Sequence, residues 1–347
     1  MGSRSTGRVV AAVVAVALGV VAPPVASASG FTLVWDDFDN GFSSAKWTSW
    51  PAAGYPQGDA KPTTADGVLT VVPTGTNPRT GEPAFRFTTA PESQGGGGDL
   101  DQLKWIATVN HTASSGFPGF DAKPGQLLTC RTKMAGRTFG TGNHPFGAAV
   151  TNPDGDLRLA ATSTATIDTE TQVVTDFVVT NNTIFAIYER LPVAGKDHAA
   201  FTYAVPVASR RQDQVHVLET VMDNAAGAVE WRVDRRTVLR VDKIGYRVLD
   251  RKHLLMDLGG REERVFPRQM ACGMGMFTFL AGSAQGSPGL VRISDAPGKY
   301  FDTLKGQPTP QTFVDDRSLP SNRLWGQGAR LRVDSVTVIS APKQRGA

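Results

Sequence analysis

Three polar side chains stand together at the end of an apolar run, residues 183–192, which reads T-I-F-A-I-Y-E-R-L-P. The run is rich in residues that favour β-structure, and successive side chains of a strand point to opposite faces. Glu189 should therefore share one face with Phe185 and Ile187, whereas Tyr188 and Arg190 should share the other. A strand that only fills a core needs none of these polar groups, so the run predicts the centre of a ligand-binding face.

Each of these side chains suits a particular role. A tyrosine stacks on flat rings and donates its hydroxyl, and an arginine offers a planar fork of donors. We therefore predict ligand binding by Tyr188, Glu189, Arg190 and Arg158. If Glu189 is buried, desolvation raises its pKa, which suits a general acid and makes it a candidate catalytic residue. Alternatively, Glu189 pairs with Arg158 or Arg190 and only holds two strands together.

A histidine lies in the glycine-rich stretch 140–147, G-T-G-N-H-P-F-G. Because imidazole titrates near neutral pH, His144 is a second candidate for catalysis and for ligand binding. Alternatively, it is a loop histidine that only hydrogen-bonds the backbone. The patterns H-E-x-x-H and G-x-S-x-G and the phosphate-binding loop do not occur, so metalloprotease, α/β-hydrolase and nucleotide-binding functions receive no support.

Carboxylates two residues apart on one strand share a face, and a pair of carboxylates is what most glycoside hydrolases use. The stretch 168–172, D-T-E-T-Q, is the nearest match to such a spacing. It offers Asp168 and Glu170, but Gln172 stands at the next alternate position and cannot act as an acid or a nucleophile. The threonine-rich surroundings favour a turn between strands, which is what we predict here.

The first 28 residues have the pattern of a secretory signal. Arg4 and Arg8 precede an apolar stretch at 9–21, and A-S-A at 26–28 is a small-residue cleavage site. We therefore expect a secreted chain of residues 29–347 with no membrane attachment after cleavage. Its charge is 36 − 2 = 34 basic residues against 32 acidic ones. Without a clustered basic patch, this balance gives no support to a nucleic-acid partner.

The chain has two cysteines, Cys130 and Cys272. In an exported protein an even number of cysteines predicts a disulfide, and the alternative is a pair of buried free thiols. Two cysteines are too few for a zinc site of the structural type.

The pattern along the chain predicts an all-β protein. Of its 347 residues, 40% are hydrophobic, and 37 glycines and 22 prolines supply turns. Short β-favouring runs recur with almost no helical periodicity; examples are 126–134, 157–161, 172–180 and 228–233. This spacing favours an antiparallel two-sheet sandwich or jelly roll, and we predict a single domain for residues 29–347.

Three segments resemble concanavalin A-like sandwiches of the laminarinase/lichenase glycoside hydrolase class. They are V-W-D-D-F-D-N-G-F-S-S-A-K-W at 34–47, V-E-W-R-V-D at 229–234 and L-R-V-D-S-V-T-V at 331–338. The resemblance implies a concanavalin A-like antiparallel two-sheet sandwich. It also implies a structural Ca²⁺ where the first loop and the last strand meet, with Asp37, Asp39 and Asp334 as candidate ligands. The alternative for these aspartates is turn capping, and no other cofactor is expected.

The chain is also similar to an uncharacterised family of exported actinobacterial proteins. The similar segments are N-H-P-F-G at 143–147, Y-E-R-L-P at 188–192, G-M-G-M-F at 273–277 and W-G-Q-G-A at 325–329. This second resemblance implies no function.

These observations favour an exported sandwich that binds a polar ligand, a glycan or a small polar molecule, without a recognisable hydrolase carboxylate pair. A second hypothesis is an enzyme, either a glycosidase or lyase with relocated acids or a small-molecule enzyme using Glu189, Tyr188, Arg190 and His144. The enzyme hypothesis predicts that these four side chains converge in one cleft. A third hypothesis is a structural or partner-binding protein of the cell envelope, which would present a flat face.

Overall fold

A computed structural model describes residues 1–2, 30–52, 57–284, 286–296 and 298–343. The predicted signal segment 1–28 lies outside the described residues, apart from its first two. Within the described ranges, no helix is long and apolar enough to cross a membrane.

The described residues form strands and short 3-10 helices, with no α-helix among them. In chain order the strands are β1 (Phe31–Asp36), β2 (Trp47–Ser49), β3 (Lys61–Ala65), β4 (Val68–Val72), β5 (Gly75–Thr76), β6 (Pro83–Ala84), β7 (Leu103–Val109), β8 (Phe120–Asp121), β9 (Gln126–Phe139), β10 (Ala161–Asp168), β11 (Val173–Val174), β12 (Phe177–Val179), β13 (Thr183–Arg190), β14 (Phe201–Ser209), β15 (His216–Asp223), β16 (Ala228–Val233), β17 (Arg236–Val241), β18 (Leu254–Asp257), β19 (Gln269–Phe277), β20 (Gly289–Val291), β21 (Phe313–Asp315) and β22 (Gly328–Pro342). The 3-10 helices are Glu92–Gln94, Gly98–Gln102, Thr141–Asn143, Gly147–Ala149, Arg251–His253 and Pro320–Asn322.

Two large antiparallel sheets dominate the fold. The first sheet has the order β17-β16-β15-β9-β22-β4-β3, with β1 also paired to β22. The second has the order β18-β14-β13-β11-β10-β19-β7-β2, with β12 beside β10 and β13 and with β8 beside β19. The predicted all-β, antiparallel two-sheet sandwich is therefore confirmed. The first and last strands of the chain lie side by side in the first sheet.

The main apolar core lies between the two sheets because each strand turns alternate side chains inward. Trp231 on β16 of the first sheet meets Tyr188 on β13 of the second, with ring centroids 6.4 Å apart. A second apolar cluster covers the opposite face of the second sheet, which we call the outer face. There, Phe185 and Ile187 of β13 pack against residues of the loops at 146–159 and 279–300.

A disulfide joins the two sheets. Cys130 of β9 and Cys272 of β19 are bonded, with their Cα atoms 5.5 Å apart. Both side chains are buried in the main core. The predicted bridge is therefore confirmed, and it links an interior strand of one sheet to an interior strand of the other.

Candidate functional site

A pocket of about 360 Å³ opens on the outer face of the second sheet. Its floor comes from β13 and β14, through Phe185, Ala204 and Pro206, and its walls come from irregular segments. Its polar lining consists of the side chains Thr151, Asn152, Asp156, Arg158, Lys252, His253, Ser283 and Ser287. A partly apolar concavity with a few convergent polar groups is the usual form of a small-ligand site.

Arg158 builds one wall of this pocket. Its Nε and Nη2 donate to the carboxylate of Asp156, with the shortest contact at 2.6 Å. Nη2 also donates to the carbonyl of Ala149 at 2.7 Å, and Nη1 donates to that of Pro288 at 3.0 Å. Arg158 was predicted to bind a ligand and does line the pocket. With these bonds made and only 2% of the residue exposed, its main contribution is to fix the loops around the cavity.

Lys252 and His253 enter the pocket from the short 3-10 helix Arg251–His253. Asp250 caps this helix, since its carboxylate accepts the backbone N–H of Lys252 at 3.0 Å. Burial, and secondarily the charge of Lys252, lowers the pKa of the His253 imidazole. The imidazole is therefore neutral at pH 7 and offers one donor and one acceptor to a ligand.

Glu189 lies on the same face of β13 as Phe185, four residues farther along. At about 3.3 Å per residue the two Cα atoms are about 13 Å apart, so Glu189 lies beyond the pocket. Its Oε1 accepts the hydroxyl of Thr202 on the neighbouring strand at 2.5 Å. Burial, and to a lesser extent the charge of Asp99, raises the pKa of Glu189 to about 7.

Asp176 is a second acid on this face. It lies between β11 and β12, where its carbonyl accepts the N–H of Ile187 at 2.8 Å and its carboxylate accepts the N–H of Thr166. This pairing places it diagonally across from Glu189, about 7 Å away. Burial, and then the charge of Glu189, raises the pKa of Asp176 well above its usual value. Asp176 and Glu189, together with Asp99, whose charge raises the pKa of Glu189, are called the carboxylate cluster below.

Asp99, the third member of the cluster, has partners in the loop that contains Lys299 and Tyr300. Asp99 accepts the hydroxyl of Tyr300, and the Nζ of Lys299 lies 2.8 Å from its Oδ2. Asp99 therefore carries a compensating cation, whereas Glu189 and Asp176 have no ion pair among the described residues. Such an arrangement keeps the Glu189 carboxyl partly protonated near neutral pH, which is the state that a general acid needs.

Tyr188 and Arg190 do not join this site. The alternation predicted for β13 is confirmed, but it turns Tyr188 into the main core, where the side chain is fully buried. The Tyr188 hydroxyl accepts the N–H of Gly245 at 2.6 Å, and Arg190 lies 2.8 Å from Glu263. Neither side chain therefore lies in the pocket, where the predicted ligand-binding role would place them. The alternative pairing of Glu189 with Arg158 or Arg190 is not among the ion pairs of the described residues, where Arg158 pairs with Asp156 and Arg190 with Glu263.

The buried hydrogen bond between Tyr188 and Gly245 predicts the behaviour of a Tyr188→Phe variant. Loss of the hydroxyl leaves the buried Gly245 amide without an acceptor, which should lower the free energy of unfolding by about 1–3 kcal/mol. Tyr246→Phe is the matched control, because Tyr246 is half exposed, and it should stay within about 0.5 kcal/mol of the wild type. Urea unfolding measures both. Unchanged stability in Tyr188→Phe would contradict the assignment of Tyr188 to the core.

His144 lies outside the pocket lining. Its Nδ1 accepts the N–H of Phe146 at 3.2 Å, and its ring stacks on that of Phe146. This is the backbone-bonding alternative that the sequence left open. The four side chains of the enzyme hypothesis, Glu189, Tyr188, Arg190 and His144, thus do not converge in one cleft.

The predicted turn at 168–172 is confirmed. The Asp168 carboxylate accepts the backbone N–H groups of Glu170 and Thr171 at 3.0 and 3.3 Å. The Glu170 carboxylate instead accepts from Arg268, with Nε at 2.9 Å. Both acids are therefore engaged in holding the turn.

The three aspartates of the predicted calcium site do not form one ligand set. Asp334 lies 2.7 Å from the Nζ of Lys133, while Asp37 accepts the N–H of Asp39 at 3.4 Å in its own turn. No three His, Cys, Asp or Glu side chains of the described ranges are grouped to hold a metal ion. The calcium site stays a prediction that rests on the resemblance of the end segments.

The sequence interpretation missed Asp176, Lys252 and His253. None of them belongs to a motif that marks a binding or catalytic site. Asp250 was the one local signal, because an aspartate two residues before Lys252 is a typical helix cap.

Fold and site together define a two-sheet β-sandwich with a polar pocket on the outer face of one sheet. The chain belongs to a family of unknown function, DUF6081, whose model matches residues 35–342. An uncharacterized protein of Acanthamoeba polyphaga mimivirus, L829, is 29% identical over 210 residues. That match covers 43% of this chain and 48% of the viral protein, so it spans about half the length of that relative.

Solved structures similar to this chain include two glucanases. The endo-1,3-β-glucanase of Streptomyces sioyaensis shares 11% identity over 93% of this chain and 100% of its own, with a TM-score of 0.45. The endo-β-1,3-glucanase of Pyrococcus furiosus shares 12% identity over 90% of this chain and 94% of its own, with a TM-score of 0.43.

Proposed function

We propose that the protein is an exported sandwich protein that binds a saccharide in the pocket on the outer face of the second sheet. The observation that carries this proposal is the pocket itself, about 360 Å³ in volume with hydroxyl, amide, imidazole and ammonium groups around an apolar floor. Saccharides present both hydroxyls and apolar ring faces, so this lining suits them. The resemblance of the end segments to laminarinase-type sandwiches supports the same ligand class.

Export is part of the proposal. It is supported by the signal-like pattern at 1–28 and by the disulfide, since disulfides persist mainly in oxidising compartments. N-terminal sequencing of the protein recovered from culture medium tests it, with Ser29 as the expected first residue.

The binding proposal predicts that filling the pocket abolishes binding. Ala148 is an exposed lining residue, so Ala148→Trp should occlude the cavity with little effect on the core. Thermal unfolding of residues 29–347 with an oligosaccharide panel measures binding, since a ligand at 100 times its Kd stabilises by about 2.7 kcal/mol. The shift should disappear in Ala148→Trp.

The matched control is Ala225→Trp, at an exposed turn position between β15 and β16 of the other sheet. This variant should bind as the wild type does. An equal loss of binding in both variants, or a shift that survives in Ala148→Trp, would contradict the pocket as the site.

The second candidate function is acid–base catalysis on a saccharide long enough to reach from the pocket to the carboxylate cluster, where Glu189 lies about 13 Å from Phe185 along β13. The carboxylate cluster favours it, because Glu189 has its pKa near 7 and a second buried acid stands beside it. Chromatography of every oligosaccharide that binds, before and after incubation, separates turnover from binding. Products that disappear in Glu189→Gln would favour the enzyme, and an intact oligosaccharide would favour binding alone.

A further inference from the structure

The ionisable groups around the pocket show which saccharides it suits. Asp156 is the one carboxylate in the described lining, and it is engaged by Arg158 through both of its oxygens. Arg158 also donates through Nη2 and Nη1 to the carbonyls of Ala149 and Pro288. This pair is therefore electrically neutral as seen from the cavity and offers no free acceptor.

Among the described lining residues, Lys252 is the cation that remains available to a ligand. Its Nζ lies 3.0 Å from the Oδ2 of Asp250, but the two side chains are 59% and 57% exposed. Such a solvent-exposed pair contributes little stability, so the ammonium group can exchange Asp250 for a ligand at small cost. His253 adds an imidazole on the same helix, and the hydroxyls of Thr151 and Ser287 add donors nearby.

We propose that the ligand of this pocket is an anionic saccharide, one that carries a carboxylate or sulfate group placed against Lys252. The inference rests on the proposed saccharide-binding function and names its ligand class. Its physical basis is the Coulomb attraction between the ammonium group and an anionic group, which a neutral hydroxyl does not supply. A neutral saccharide would leave the ammonium group paired only with Asp250.

The test compares oligosaccharides of one length in three forms: neutral, uronic acid and sulfated. Calorimetric titration of the wild type should give up to about fivefold tighter binding of at least one anionic form than of the neutral form, as an exposed ion pair contributes up to about 1 kcal/mol. The preference should shrink as salt rises from about 0.05 to 0.5 M, because screening weakens exposed charge pairs. Comparing the uronic acid form with the sulfated form shows whether the pocket prefers a carboxylate or a sulfate group.

Variants of Lys252 isolate the role of its charge. Lys252→Gln should abolish the preference, so that the anionic form binds no more tightly than the neutral form, and Lys252→Arg should retain it. The helix should survive these changes, because Asp250 caps it through the backbone N–H of residue 252.

Lys305 is a matched control. Its backbone N–H donates to Asp302, three positions earlier, and its ammonium group lies 3.9 Å from the same carboxylate. It does not line the pocket, so Lys305→Gln should leave the preference unchanged.

The outcomes are distinct. Equal affinity for neutral and anionic forms, or a preference that persists in Lys252→Gln, overturns the anionic inference and leaves saccharide binding standing. Binding of none of the three forms overturns the proposed function itself. Inorganic sulfate that binds as tightly as the sulfated oligosaccharide would show an anion site without saccharide recognition and would also overturn the inference.

Discussion

Replacing Cys130 and Cys272 together by alanine should lower the free energy of unfolding by about 5 kcal/mol. The bridge closes a loop with a sequence separation of 142 residues, and the chain-entropy treatment assigns about 5 kcal/mol to a loop of that size. The physical reason is that the intact bridge restricts the unfolded chain. It also joins β9 of the first sheet to β19 of the second. Denaturant unfolding of both proteins, without reductant, measures the difference.

Two controls separate the bridge from the packing of the side chains. Wild-type protein that is reduced while unfolded and then refolded in reductant should lose nearly as much stability as the variant. The double alanine variant itself should show no response to reductant. A loss below about 1 kcal/mol, with no effect of reductant on the wild type, would show that the thiols are free and buried.

The sequence predicted those features that depend on local pattern. The alternation of β13 follows from side chains at every second position, and it placed Glu189 with Phe185 on one face and Tyr188 on the other. The turn at Asp168 follows from a short acid that can accept nearby backbone N–H groups. The hydrophobic pattern could not say which of two faces meets the other sheet. The outer face has its own apolar cover, so both faces of β13 carry apolar residues.

Tertiary contacts decided the features that the sequence did not predict. The run at 172–180 looks like one strand but is divided into β11 and β12, because the Asp176 carboxylate accepts the N–H of Thr166 at that point. The run at 157–161 looks like a strand but remains irregular up to Ala161, and Arg158 within it ties three loops together. The pocket is built from such segments, whose shape depends on partners more than 100 residues away.

Replacing Glu189 by glutamine should change the pH dependence of stability. In the folded protein the pKa of Glu189 is raised from 4.5 to about 7, so the folded state holds its proton more tightly than the unfolded chain does. The stability that comes from this proton is fully present below pH 4.5 and is lost as pH rises through 7. The gap between the unfolded and folded pKa values of Glu189 corresponds to at most about 3 kcal/mol of folding stability.

A neutral amide has no such titration, so the stability of Glu189→Gln relative to the wild type should increase by about 2–3 kcal/mol between pH 4.5 and pH 8. Asp176 titrates in both the wild type and Glu189→Gln. The difference between the two proteins therefore contains little of the pH dependence that Asp176 itself contributes. Urea unfolding at a series of pH values measures the change.

Glu170→Gln supplies a control of opposite sign. Hydrogen bonding from Arg268 holds the pKa of Glu170 below its usual value, so its contribution to stability is present at neutral pH and is lost as pH falls. Glu170→Gln should therefore lose stability relative to the wild type as pH rises from 3 to 6. A Glu189→Gln variant whose stability relative to the wild type is independent of pH would show that Glu189 is ionised and solvated at neutral pH. In that state it could not serve as the proton donor of the second candidate function.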